Sequence, residues 1–240
     1  QVLLLVLAES CLLSGLGGYL HPLITERPVT KSTLIVATSD TGLCGTYNSN
    51  VLHETLRFLR ENPARPVEII AVGKFGLNSL THQGARIYRG FTELRLSNFE
   101  AMSLEVARHA KEQFLHGETD EVLLVYTHYV SRATHVPRIA RYLPLARPAK
   151  QEQKIEYILE PDAETVLAKV LPRFLDLTMK LALIEASLSE QIARMLAMKQ
   201  ATDNAEEMID DLTLLRNKLR QAAITKELIE VVSGARALVH

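Results

Sequence analysis

The chain has 240 residues, with 47% hydrophobic and 5% aromatic content, no Trp, and a formal net charge of -1 from Lys+Arg 27 against Asp+Glu 28. So few aromatics argue against a β-sandwich and for helix-rich architecture, and nothing in the balanced charge argues for nucleic acid or another acidic polymer as partner. Cys11 and Cys44 form no metal or redox motif and read as free thiols of a reducing compartment.

In chain order, Val2 to Leu20 is apolar with Glu9 as its only charge. It lacks the basic first region of a signal peptide and the uninterrupted length of a membrane span. The first residue is Gln1 rather than Met, which implies residues upstream. The segment reads as the tail of a helix that packs on a longer one. Leu20 to Ile24 ends it, and Glu26-Arg27-Pro28 is a turn. Thr33 to Thr38 is a short apolar, β-branched run, as a buried central strand requires. Ser39-Asp40-Thr41-Gly42-Leu43-Cys44-Gly45 follows as a glycine-bearing loop, and Asn48 is placed to cap the next helix, which Asn62-Pro63 stops.

Val67 to Val72 predicts a second strand, and Gly73-Lys74-Phe75-Gly76 a turn into a short helix. Ala85 to Tyr88 predicts a short edge strand, and Asn98 to Leu115 a helix with Phe99, Met102, Val106, Ala110 and Phe114 inward. Glu121 to Tyr126 is a third clear strand and Ile155 to Leu159 the last. Strands alternating with helices predict a mainly parallel sheet covered on both faces. Glu160-Pro161-Asp162 marks the exit. Asp162 caps a short helix to Leu171, and Pro172 restarts a longer one.

From Arg173 to Ser233 no Gly or Pro occurs and good helix formers dominate. Phe174, Leu177, Leu181, Ile184, Leu188, Ile192, Met195, Met198, Ala201, Ala205, Met208, Leu212, Leu215 and Leu219 draw one apolar stripe along it. At 1.5 Å per residue such a helix is about 90 Å long. A compact domain of this size has a radius of gyration of about 18 Å, so the helix must project from it. The stripe needs a partner helix, a surrounding sleeve, or both. Asp203, Glu206, Glu207, Asp210 and Asp211 precede Arg216, Lys218, Arg220 and Lys226, acid first and base later. The Leu228-Ile229-Glu230-Val231-Val232 stretch is apolar where a free end should be polar.

Other constellations are weaker. Gly42 and Gly45 stand near a helix N-terminus after a strand, as in a nucleotide-binding unit. There is no third glycine, no Gly-Lys-Ser/Thr, and Val72-Gly73 stands where an acidic residue belongs, so a tight structural turn is favoured. His109 and His116, and His128 and His135, are each seven apart, which is not ligand spacing, and read as solvated surface histidines. No catalytic set, cofactor site or metal site emerges.

Two C-terminal stretches, Met195-Leu196-Ala197-Met198-Lys199-Gln200-Ala201-Thr202-Asp203-Asn204-Ala205 and Arg220 to Ala235, closely resemble the C-terminal helix of the F-type ATP synthase gamma subunit family. The loop Ser39 to Asn48 is similar to that family's Ser-Asp-Arg-Gly-Leu-Cys-Gly-Gly-Phe-Asn signature, with Thr41 in place of Arg and Thr46 in place of Gly. Tyr157-Ile158-Leu159-Glu160-Pro161 resembles its Tyr-x-x-Glu-Pro segment. The family's basic N-terminal helix with its Lys-Ile-Thr-x-Ala-Met-x-Met stretch is absent here, as is the inserted Cys pair of plastid members. Thiol control of rotation is therefore not implied.

The resemblance implies a rotor, non-catalytic by itself, that couples ion-driven rotation of the c-ring to ATP synthesis or hydrolysis in the alpha–beta hexamer. It implies alpha, beta and epsilon subunits and the c-ring as partners, no cofactor, and a peripheral place at the cytoplasmic face of a bacterial inner membrane. By position, Arg194, Arg220, Gln221, Thr225, Glu227 and Leu228 would meet the alpha and beta subunits. Tyr157 and Glu160 would face the c-ring and epsilon. The expected fold is α/β: a Rossmann-like, mainly parallel sheet with helices on both faces, plus a very long C-terminal helix in an antiparallel coiled coil with the N-terminal helix. Residues 1–20 would be the remnant of that helix, 21–160 the α/β foot and 161–240 the long helix. The rival readings are a dinucleotide-binding oxidoreductase, a non-rotary coiled-coil scaffold, and a sodium-translocating relative.

Overall fold

The computed structural model describes residues 21–95, 97–131, 135–145 and 162–238. The expected N-terminal helix remnant, the strand at Ile155 to Leu159, and Tyr157 and Glu160 lie outside the described residues. Residues through Arg194 form one compact unit, and Met195–His240 form a second.

In the first unit, a 3-10 turn at Pro22–Ile24 leads to β1 (Ser32–Ala37), α1 (Tyr47–Glu61), β2 (Val67–Val72), α2 (Lys74–His82), β3 (Ile87–Phe91), α3 (Phe99–Leu115), β4 (Glu121–Tyr129) and β5 (His135–Leu143). The sheet order is β3-β2-β1-β4-β5. β1 pairs in parallel with β2 and β4, β2 in parallel with β3, and β4 antiparallel with β5. The central strand is buried throughout, with Leu34 to Ala37 apolar, because both of its faces are covered. Leu34 and Val36 face α1 and α2, packing with Val51, Leu52 and Leu80. Ile35 and Ala37 face the other way, toward Val106, Ala110 and Phe114 of α3 and the long helix. The order in which strands are added to the sheet switches sides between β1 and β4, and the loop after β1 opens there.

Two strands depart from the sequence reading. The edge strand β3 runs Ile87–Phe91 rather than 85–88. β5 was not anticipated, because Pro137, Arg138 and Arg141 give it no apolar run. An edge strand tolerates Pro and gains from charge, which blocks further pairing. At the start of α2, Gly73 has φ 97, and a Cβ there would stand 2.3 Å from the Thr38 carbonyl oxygen. That glycine lets the turn pass against β1.

The last element, α4, is one helix over Ala163–Leu238. Its N-terminus is closed as expected, with Asp162 Oδ1 accepting from the Thr165 amide at 2.7 Å. The expected break at Leu171–Pro172 does not occur. An interior proline costs about 3 kcal/mol. Leu167, Leu171, Leu175, Met179 and Leu183 are buried on the sheet side of this helix, and each such side chain contributes about 1.5–3 kcal/mol. Tertiary packing therefore outweighs the proline.

That buried line is not the predicted stripe. Leu177, Leu181, Ile184 and Leu188 are 45%, 49%, 44% and 45% exposed. The helix carries two apolar faces, and only one packs on the α/β domain. In the second unit every described residue is exposed except the intermediate Ala197 and Asn217, so the acidic and basic sets there are solvated.

Candidate functional site

The loop after β1 is fixed by its own polar side chains. Asp40 Oδ1 accepts from the Lys74 amide and Oδ2 from the Leu94 amide, each at 3.0 Å, tying the loop to the start of α2 and to the segment after β3. Asn48 does not cap α1; Thr46 takes that position without a side-chain bond. Asn48 is buried, its Oδ1 accepting from the Ser39 amide at 3.0 Å and its Nδ2 donating to Ser39 Oγ at 2.7 Å. The two arms of the loop are thereby drawn together over the buried Cys44. At the tip, Leu43 has φ 62 and is 74% exposed, and Gly45 has φ 57. An apolar side chain held in a left-handed conformation in solvent is strain retained by its surroundings.

The face of this loop toward α4 presents oxygens, two carbonyls and one hydroxyl. Arg194 Nη2 donates to Thr41 O at 3.2 Å and to Thr41 Oγ1 at 2.9 Å, and Nε donates to Gly42 O at 3.4 Å. The same guanidinium pairs with Glu190 at 2.8 Å, one turn back along the helix. A phosphate cradle needs converging N–H groups. This loop offers oxygens to a cation, and the Arg194 guanidinium takes them. Burial pushes the Glu190 carboxyl above its ordinary pKa while Arg194 draws it down. Around them lies a polar recess of about 310 Å³ in which Asp40, Glu93 and Glu190 are balanced by Lys74, Arg95 and Arg194. Lys74 also holds the exposed Glu93 carboxyl below its usual range.

Three further hydrogen bonds to main-chain oxygens fasten the helix to the sheet domain, and sequence reasoning passed over all of them. Tyr47 Oη donates to Ala186 O at 3.1 Å, Tyr142 Oη donates to Leu175 O at 3.1 Å, and Ser189 Oγ donates to Thr127 O at 3.3 Å. Lys111 of α3 pairs with Asp176. The only signal available in the sequence was a tyrosine at the first position of a helix and another at the end of a charged strand.

The histidines need correction. His109 is buried between the rings of Tyr88 and Phe91, with centroids 6.2 and 5.9 Å away. Its pKa is lowered, first by burial and then by Arg89 and Arg108. His128 is half-buried and lies 3.0 Å from Glu185, and His135 stands across the β4–β5 pair beside Tyr129. Among the described residues no group of His, Cys, Asp and Glu is gathered as for a metal ion, and no helix is long and apolar enough to cross a membrane.

Of the residues expected to meet partner subunits, Arg194 is engaged by its own chain's loop. Arg220, Gln221, Thr225, Glu227 and Leu228 are exposed in the second unit. Thr225 Oγ1 donates back to Gln221 O at 2.9 Å.

A family model described as ATP synthase matches residues 6–238. The ATP synthase gamma chain of Moorella thermoacetica is 40% identical over 227 residues, covering 95% of this chain and 80% of that one. The chain belongs to the ATP synthase gamma family. The gamma chain of Desulforamulus reducens is 41% identical over 226 residues, with 92% and 78% covered. The fold is similar to that of a chain in the OSCP/F1/c-ring structure of Euglena gracilis mitochondrial ATP synthase, at TM-score 0.63, 21% identity and 99% and 88% coverage. It is also that of the central stalk of the Tetrahymena thermophila enzyme, at TM-score 0.61, 20% identity and 84% and 98% coverage. As a gamma chain the protein is the central-stalk rotor subunit of a membrane-associated ATP synthase, to which it is peripheral.

Proposed function

We propose that this chain works as a stiff cam that performs no catalysis itself and biases the nucleotide pockets of surrounding alpha and beta subunits by differential contact. Coupling of this kind requires that each pocket meet a different face of the shaft. The observation that carries the reading is the division of α4. Its first part is bonded into the sheet domain as far as Arg194, and the described residues that follow are almost all exposed while keeping apolar residues at helical spacing. An exposed apolar helix of that length is not stable chemistry in water without a sleeve or a partner helix.

On this reading Arg220, Gln221, Thr225, Glu227 and Leu228 meet the alpha–beta ring, and Arg194 sets the loop at Thr41–Gly42 against it. Tyr157 and Glu160 lie on the side of the c-ring and epsilon subunit. Residues 21–160 form the foot, 161–240 the long helix, and 1–20 the end of the antiparallel partner helix. The chain sits at the cytoplasmic face of a bacterial inner membrane and holds no cofactor of its own. Support comes from the bacterial relatives at about 40% identity, each named as a gamma chain. The apex would be apolar so that no strong directional bond pins rotation. Replacing Leu228 and Ile229 together by Asp is expected to weaken assembly with the alpha–beta ring and lower coupled hydrolysis. Unchanged assembly and coupling would sink the cam reading.

A further inference from the structure

We propose that Tyr47 and Tyr142 are positioning residues that lock the long helix against rotation on the α/β domain, so that torque crosses this joint without slip; the proposal rests on the rotor reading above. The two phenols come from distant parts of the chain. Tyr47 opens α1 at the end of the glycine loop, and Tyr142 lies near the end of β5. Both are buried, and both donate to main-chain oxygens of the same helix, Ala186 O and Leu175 O. Those oxygens are about three helical turns apart, so they lie on one line of the helix.

The apolar part of the same joint holds weakly against rotation. Leu175, Met179, Ala182, Leu183 and Ala186 form the buried line, and its alanines present a low ridge. Burial of such surface is strong but non-directional. Packed helices shift by small rotations or whole-turn ratchets when nothing directional opposes them. An O–H···O=C bond weakens steeply as its angle departs from linear. Two of them on one line therefore oppose both twisting and sliding. Ser189 to Thr127 and Arg194 to Thr41 and Gly42 continue the series toward the end of the unit.

These bonds do not serve the helix's own hydrogen bonding. Both carbonyls lie inside α4, where each accepts from the amide four residues on. Loss of the phenol proton donor leaves neither oxygen orphaned, and Tyr→Phe keeps the ring that fills the space. Burial also holds both phenols protonated, with pKa values raised above the ordinary tyrosine range, so the donors persist at any working pH.

The test is torsional stiffness in the assembled complex. The alpha–beta ring is fixed to a surface, a probe is attached to the α/β domain, and its angular fluctuations are recorded with the enzyme arrested on nucleotide. Among the described residues the two phenols share the load with Ser189, Arg194 and the Lys111–Asp176, Lys180–Glu100 and His128–Glu185 pairs, so the Y47F/Y142F double variant is expected to lose about 30% of the stiffness, and each single variant about 15%, at unchanged assembly and unloaded ATP hydrolysis. Y88F, at an exposed tyrosine of β3 outside the joint, is expected to leave stiffness unaltered. Stiffness equal to the unsubstituted complex in the double variant overturns the proposal. So does failure of the double variant to assemble, which assigns the phenols to folding. If the unsubstituted complex shows no ATP-driven rotation of the probe, the rotor reading itself falls.

Discussion

Arg194→Gln isolates the electrostatics of the loop–helix contact. The wild-type guanidinium makes charge-assisted bonds to Thr41 and Gly42 and pairs with Glu190, and the two charged side chains are 22% and 15% exposed. Charged hydrogen bonds at such sites contribute about 1.5–3 kcal/mol before screening, and a quarter-exposed site sits at the lower end, so a loss of about 2 kcal/mol is expected at neutral pH. The loss has a pH signature. Burial raises the Glu190 pKa and Arg194 opposes that rise, so in the variant the folded-state pKa climbs further above the unfolded one. The folded variant then binds a proton more readily than the unfolded chain. Its deficit is full above the folded pKa of Glu190 and shrinks as pH falls through it. Urea unfolding of the full chain at about pH 7.5 and about pH 5, followed by circular dichroism, reads the difference. A deficit equal at both pH values, or below about 0.5 kcal/mol at the higher one, refutes the account.

Other expectations follow from the same contacts. Leu175→Ala, at a side chain with no exposure, should cost about 2–5 kcal/mol by the same urea titration, whereas Leu212→Ala, exposed in the second unit, should cost under about 0.5 kcal/mol in the isolated chain. His109 has a folded pKa below the ordinary 6.5. Stability should therefore be intact above about pH 6.5 and decline as pH falls toward the folded value, while the unfolded chain takes up a proton that the folded one refuses. An NMR titration that places the His109 pKa at or above 6.5 would contradict this.

Strands β1, β2 and β4 were legible in the sequence because parallel strands covered on both faces are largely apolar, and Val67–Val72 coincides with β2 residue for residue. The long helix was equally plain, since sixty residues without Gly or Pro leave the backbone few alternatives. Periodicity could not say which apolar line faces the sheet. Helix α4 repeats Leu and Ala on two adjacent faces, and only the docked position of the sheet selects Leu175 and Met179 over Leu177 and Leu181. Pro172 was read as a boundary because local penalty is visible in sequence and the packing that outweighs it is not. β5 stayed hidden because an edge strand paired on one side needs no apolar run. The loop at Ser39–Asn48 could be recognised as a motif, but its meaning came from residues about 150 positions away. Only folding brings Arg194 to the carbonyls of Thr41 and Gly42, and Tyr47 and Tyr142 to one line of the helix. Sequence determines which backbones are possible; contacts between distant segments, set by long-range burial and directional hydrogen bonds, decide which faces meet.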